Sequence, residues 1–188
     1  CIEGGMQTGD TVFIAAGVSG LGMAAIQLAK AAGAKVVTTV STEEKAEFVR
    51  GLGADAVINR KEENVAEKLA EHQPDIAMDC VAGPGLGPCL ESMARGGRWI
   101  VIATLGGEMA EIDMREFFKK GIKLIGSTLR SRTSEMKGEI LAGIKEKLWD
   151  SFSDGSAKAV IYKTLPMTEA EEAQIGRASC RERVCHRV

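Results

Sequence analysis

Short apolar runs alternate with stretches of helical periodicity along most of the chain. "TVFIAA" (Thr11–Ala16) is an unbroken apolar run, the pattern of a strand buried on both faces. Leu21–Ala32 follows with strong helix formers and stops at Gly33. "KVVTTV" (Lys35–Val40) reads as the next strand, Glu43–Leu52 as a helix and "AVIN" (Ala56–Asn59) as a short strand. Asn64–Glu71 is helical in pattern, and "DIAMDCV" (Asp75–Val81) is a fourth strand. Leu86–Ala94 reads as a helix if Pro88 lies in its first turn. "RWIVIAT" (Arg98–Thr104) is a fifth strand between the pairs Gly96-Gly97 and Gly106-Gly107. Met114–Lys120 is a helix, "KLIGSTL" (Lys123–Leu129) a sixth strand and Glu135–Trp149 a longer amphipathic helix. "AVIYKTL" (Ala159–Leu165) reads as a seventh strand, and Thr168 with Glu171 has the spacing of a capping box that opens another helix.

Strands alternating with helices predict parallel pairing through right-handed crossovers. The expected fold is α/β, a doubly wound parallel sheet of the Rossmann type. Ligands on such sheets lie beyond the carboxyl ends of the strands, where the strand order reverses.

Composition leaves that picture in place. The chain has 188 residues, 45% hydrophobic and 27% charged, enough for one domain with a full core. A net charge of −2 gives no global attraction to nucleic acid or anionic lipid, so neither is expected as a partner. No apolar stretch is long enough to cross a bilayer as a helix, so no membrane partner is expected either. The five cysteines (Cys1, Cys80, Cys89, Cys180 and Cys185) form no C-x-x-C pair, and their odd number does not suggest a disulfide framework. Free thiols fit a reducing, cytoplasmic setting. Cys80 reads as a core residue and His72 as a solvated helix residue. No metal site is expected before residue 180. "IGRASCRERVCHRV" (Ile175–Val188) is rich in Arg and Cys and lacks apolar periodicity. It reads as a non-native tail, much like a translated sequencing adapter; a basic or metal-binding tail using Cys180, Cys185 and His186 is the alternative. The expected organisation is therefore a cofactor-binding domain over residues 1–174, incomplete at its carboxyl end, and a tail over 175–188. The first residue is not Met, and the chain is expected to be a fragment.

The chemistry concentrates in "IAAGVSGLGMAAIQLAKAAGAKVV", between the first strand and the first helix. A dinucleotide fold uses G-x-G-x-x-G there: a tight turn, close approach of the pyrophosphate, and close packing of helix on strand. Gly17 and Gly22 take the first and third places, Ser19 the second, and Gly20 adds room beside it. The helix start directs free N–H groups and a positive dipole end at whatever lies in front. The competing reading gives these glycines a packing role alone.

An NAD site has an acid at the end of the second strand to bind the ribose diol. Here that end reads Thr38-Thr39-Val40-Ser41-Thr42, without a carboxylate. Glu43 and Glu44 fall later, where they match the dipole of the next helix. Hydroxyls at Ser41 and Thr42 with cations at Lys45 and Arg60 suit a 2′-phosphate, which favours NADPH over NADH. Each cation taken alone reads as a solvated surface charge.

"GDTVFIAAGVSGLGMAAIQLAKAAGAKVV", "LGADAVIN", "DCVAG", "GGRWIVIATLGG" and "LIGSTLRSR" together resemble the quinone oxidoreductase (zeta-crystallin-like) branch of the medium-chain dehydrogenases/reductases. The resemblance runs in order from Gly9 to Ala173. It implies an NADPH-dependent, zinc-independent enzyme that reduces a quinone or related conjugated carbonyl and works as a homodimer at full length. It also implies an N-terminal GroES-like β-domain, absent from this chain, with the active site between the two domains. Position by position, Ser19, Gly20, Leu21 and Gly22 would line the pyrophosphate, and Ser41, Lys45 and Arg60 would hold the 2′-phosphate. Many relatives have Tyr in place of Arg60. Val81, Ala82 and Gly83 would flank the adenosine and ribose, with Ala103, Thr104 and Leu105 towards the nicotinamide. Ser127, Thr128 and Leu129 would lie near its amide. Val81 and Leu129 read equally well as packing residues.

No catalytic side chain is identified, and none of the Ser-His-Asp or paired-carboxylate arrangements occurs. Tyr162 reads as a strand residue, and a catalytic group is expected in the absent domain. Arg130 and Arg132 could meet substrate, the 2′-phosphate or solvent. A zinc-dependent alcohol dehydrogenase or an enoyl reductase would share this cofactor domain, and a non-catalytic NADPH-binding module is the reading from another class.

Overall fold

The computed structural model describes residues 5–161 and 164–173. Six strands form one sheet in the order β3-β2-β1-β4-β5-β6, every pair parallel. They are β1 (Thr11–Ile14), β2 (Lys35–Val40), β3 (Ala56–Asn59), β4 (Ile76–Asp79), β5 (Arg98–Val101) and β6 (Lys123–Gly126). The helices are α1 (Gly20–Ala31), α2 (Glu43–Gly51), α3 (Val65–Ala70), α4 (Leu86–Glu91), α5 (Met114–Lys120) and α6 (Ser134–Ser153). Pro88 lies in the first turn of α4, where its missing N–H is harmless.

The central strands are apolar on both faces, and each face is covered. Val12, Ile14, Val36 and Val40 pack with Ile26 and Ala29 of α1 and with Ala46 and Val49 of α2. Phe13, Val37 and Ala77 pack on the other side with Leu69 of α3 and with Leu86, Leu90 and Met93 at α4. Trp99, 2% exposed, lies on that second side with its ring 5.7 Å from Phe13. The chain leaves β1 towards one face and β4 towards the other, so strand order reverses between these two neighbours. That is where a doubly wound sheet opens its crevice.

Three expectations need correction. The apolar runs overstate the strands: pairing ends at Ile14, Asp79, Val101 and Gly126. Ala15, Ile102 and Ser127 each donate one further bond to the neighbouring strand before the chain turns away. The seventh strand is not formed by the described residues Ala159–Ile161, Thr164 and Leu165, and Tyr162 lies outside the described residues. Residues 157–160 lie against α1, where no strand edge is available. Gln27 of α1 substitutes for one: its Nε2 donates to Lys158 O (3.2 Å) and its Oε1 accepts from Lys158 N (2.8 Å). Gln27→Leu keeps the volume and leaves both Lys158 groups unpaired. Faster amide exchange across residues 157–161, with the sheet unchanged, is the expected result. Near Thr168 a helical turn does form, at Met167–Glu169, but its N-cap is Pro166, without a side-chain cap bond. The tail over 175–188, with Cys180, Cys185 and His186, lies outside the described residues, as does Cys1.

Candidate cofactor site

The glycine turn is built from β1, β2 and the start of α1. Thr38 and Thr39 place hydroxyls on a strand buried on both faces, and each hydroxyl has a partner on the turn. Thr38 Oγ1 donates to Ile14 O (2.6 Å), and Thr39 Oγ1 accepts from Ala16 N (3.0 Å). Gly17 N donates to Thr39 O (3.0 Å). The left-handed residue of this turn is Ala16 (φ 57°), where the sequence pattern points to Gly17. Gly17 is required for another reason: a Cβ there would stand 2.4 Å from Thr38 Oγ1.

Ser19 is the N-cap of α1, and its Oγ accepts from Gly22 N (2.9 Å). The hydroxyl proton stays free to donate outward. Gly22 therefore gives its amide to Ser19 and serves packing: a Cβ there would lie 2.4 Å from Ala16 O and 2.8 Å from Gly17 O. Gly20 and Leu21 open the helix, so their N–H groups have no acceptor within it. Neither has one elsewhere among the described residues. No atom lies within 4 Å of a Cβ placed on Gly20, and Leu21 is 51% exposed. Space and unpaired donors thus coincide at the positive end of α1. A groove of about 290 Å³ runs from Gly20 along Met23, Ala24 and Gln27 to residues 157–160.

At the end of β2, Ser41 and Lys45 are both buried, Lys45 to 2% exposure. Lys45 Nζ donates to Ser41 Oγ at 3.3 Å, and Lys45 is in no ion pair among the described residues. A buried ammonium without a carboxylate carries an uncompensated charge, which an anion would offset. Thr42 caps α2, accepting from Lys45 N (3.4 Å). Glu43 lies in the first turn, where it also pairs with Arg50 at 2.6 Å. Arg60 follows β3, the neighbour of β2, and is exposed.

At the end of β4, Val81 and Ala82 are half-buried and Gly83 is buried. Ala82 (φ 52°) and Gly83 (φ 72°) both adopt left-handed φ. Asp79, 3% exposed, holds this turn and was not anticipated from the sequence. Its Oδ1 accepts from Val81 N (2.7 Å) and Ala82 N (3.0 Å), and its Oδ2 accepts from Trp99 Nε1 (3.0 Å). An acid inside the apolar run "DIAMDCV", four residues after the Asp that opens it, is the signal available in the sequence, because a buried carboxylate needs donors. The loop after β5 is laced to the same turn: Leu105 N donates to Cys80 O (3.2 Å) and Gly106 N to Val81 O (2.7 Å). Ala103 is half-buried, Thr104 exposed and Leu105 74% exposed. Cys80 and Cys89 are buried free thiols; burial, with the Asp79 carboxylate second, raises both, Cys89 to about 11.

Ser127, Thr128 and Leu129 follow β6 at the sheet edge, farther from the reversal point. Ser127 Oγ accepts from an Arg132 terminal nitrogen at 3.4 Å, so that guanidinium folds back onto its own loop. Arg130 is exposed, and its carbonyl accepts from Lys137 Nζ. The structure thus groups the glycine turn, the Ser41–Lys45 pair and the 81–83 and 103–105 loops along one edge of the sheet. Among the described residues no group of three or more His, Cys, Asp or Glu side chains is placed to hold a metal ion, and no helix is long and apolar enough to cross a membrane.

A family model described as zinc-binding dehydrogenase matches residues 20–145, well over half of the chain. The human quinone oxidoreductase is 31% identical over 172 residues, covering 89% of this chain and 50% of the human protein. The rat quinone oxidoreductase is 32% identical over 175 residues, with the same coverage. Among solved structures, a mycobacterial quinone oxidoreductase superposes with a TM-score of 0.78 at 26% identity, covering 93% of this chain and 55% of that one. A Pseudomonas syringae quinone oxidoreductase gives 0.77 at 25% identity, covering 95% and 55%. The chain spans about half the length of the curated relatives it matches. The chain belongs to the zinc-binding dehydrogenase family, with the cofactor-domain fold of the medium-chain dehydrogenases/reductases and quinone oxidoreductases among its relatives.

Proposed function

We propose that this chain is the cofactor-binding domain of an NADPH-dependent oxidoreductase that reduces a quinone or related conjugated carbonyl. The buried, carboxylate-free Lys45 beside Ser41 is the observation that carries the cofactor choice. The substrate class is supported by the likeness to quinone oxidoreductases alone, and zinc independence is what the sequence resemblance implies. In this reading the substrate-side domain belongs to a longer protein, and that protein is a homodimer.

The unpaired amides of Gly20 and Leu21, with the Ser19 hydroxyl, bind the pyrophosphate. Ser41 and Lys45 bind the 2′-phosphate, and Arg60 adds a cation at its exposed side. The 81–83 turn, held by Asp79, borders the adenosine and ribose. Ala103, Thr104 and Leu105 approach the nicotinamide, and the apolar lip they form excludes water. Ser127, Thr128 and Leu129 lie beyond them, towards the nicotinamide amide. The bound nicotinamide supplies the hydride; the chain supplies position and electrostatics.

Titration by cofactor fluorescence tests this. NADPH is expected to bind at least about tenfold more tightly than NADH, about 1.4 kcal/mol. Lys45→Met, which keeps the buried stem, should weaken NADPH by roughly 10- to 100-fold and leave NADH unchanged. Equal binding of both cofactors by the unaltered chain would remove the 2′-phosphate assignment.

A further inference from the structure

We propose that Asn59 is a third donor to the 2′-phosphate and a determinant of cofactor specificity, an inference that rests on the NADPH reading above. Asn59 closes β3 and is 6% exposed. Its Nδ2 is buried and has no hydrogen-bond partner among the described residues. Buried polar groups are almost always paired, so this one calls for an acceptor.

The rest of the residue is satisfied. Asn59 N donates to Glu63 Oε2 (2.7 Å), and Asn59 O accepts from Glu62 N and Glu63 N (both 2.9 Å). The Glu63 carboxylate is thereby engaged with the backbone. Oδ1 accepts from Lys61 N (3.3 Å), which fixes the sense of the amide. Turned over, the NH2 would face an N–H donor.

Strand alternation places Asn59 with the Ser41–Lys45 pair. Val57 packs into the cluster with Ala46 and Val49 of α2, and Ile58 packs on the opposite face. Asn59 therefore returns to the α2 side. Its register partner on β2 is Val40, the residue before Ser41. Lys45, in the first turn of α2, reaches Ser41 from above the same strand end. An ammonium, an amide NH2 and a hydroxyl at one strand end, with no carboxylate among the three, suit a phosphate dianion.

The test compares 2′,5′-ADP with 5′-AMP by calorimetry on the full chain. The unaltered chain is expected to prefer 2′,5′-ADP. Asn59→Asp retains the Lys61 bond and replaces the donor with an acceptor; it should weaken 2′,5′-ADP by about 100-fold and 5′-AMP by less than about twofold. Asn59→Ala should weaken 2′,5′-ADP by roughly tenfold. Equal losses for both ligands, no loss for either, or failure of both variants to fold would make Asn59 structural and overturn the proposal. If the unaltered chain does not prefer 2′,5′-ADP, the NADPH reading itself fails.

Discussion

Gly22→Ala is expected to destabilise the chain by roughly 3 kcal/mol and to abolish measurable NADPH binding. The new Cβ would lie 2.4 Å from Ala16 O and 2.8 Å from Gly17 O. Both obstacles are backbone atoms, and both belong to the turn itself. Neither can swing aside as the end of a side chain can. Relief requires α1 to move away from β1, which carries the Gly20 and Leu21 amides out of place and loosens the packing of Ile26 and Ala29. Gly20→Ala makes the control, because open space surrounds that position. Its stability should equal or slightly exceed that of the unaltered chain, since alanine favours helix. Its NADPH affinity should still fall, because the methyl group enters the space assigned to the pyrophosphate. Thermal melting and cofactor titration separate the two effects. Normal melting and normal binding in Gly22→Ala would contradict the packing described here.

Asp79→Ala is expected to lower stability by about 3 kcal/mol or more, because it strands three donors at once. Val81 N, Ala82 N and Trp99 Nε1 all lose their acceptor. The indole lies in a core that water does not reach, Trp99 being 2% exposed. The turn also loses the two bonds that hold Ala82 at φ 52°, so its alignment with the 105–107 loop should relax. Cofactor affinity should fall in parallel. Trp99→Phe removes one of the three donors, so the double variant should be more stable than the sum of the single losses implies. Urea denaturation of all four proteins measures this coupling. Strict additivity would mean that the Asp79–Trp99 bond contributes nothing.

The order of strands and helices was legible because it depends on local periodicity. Thr11–Ala16, Lys35–Val40 and Ala56–Asn59 read as strands from apolar runs suited to a two-sided sheet, and the strands form at Thr11–Ile14, Lys35–Val40 and Ala56–Asn59. The strand ends were less legible. Ala15, Cys80 and Ile102 are as apolar as the ladder residues before them, and Ala15 N and Ile102 N each still make one bond to the neighbouring strand, to Met78 O and Asp79 O. Hydrophobicity records burial; it does not record where the regular ladder stops. "AVIYKTL" shows the same limit, since its described part lies against α1, held by Gln27.

The glycine spacing and the missing acid at the end of β2 pointed to a cofactor turn from the sequence alone. Local spacing fixes which residues stand at a strand-to-helix bend. It could not assign Gly22 N to Ser19, the left-handed turn to Ala16, or the binding of Val81, Ala82 and Trp99 to Asp79. Nor could it show that Asn59 Nδ2 is left unpaired. The Trp99–Asp79 bond joins two strands, and only the register of the sheet brings those atoms within reach. The Gly22–Ser19, Val81–Asp79 and Ala82–Asp79 bonds are local, yet each depends on a backbone turn whose exact φ and ψ the spacing of residues does not specify. The sequence determined which elements form and which loops carry the chemistry; the tertiary structure decided which donors are already used and which remain for a ligand.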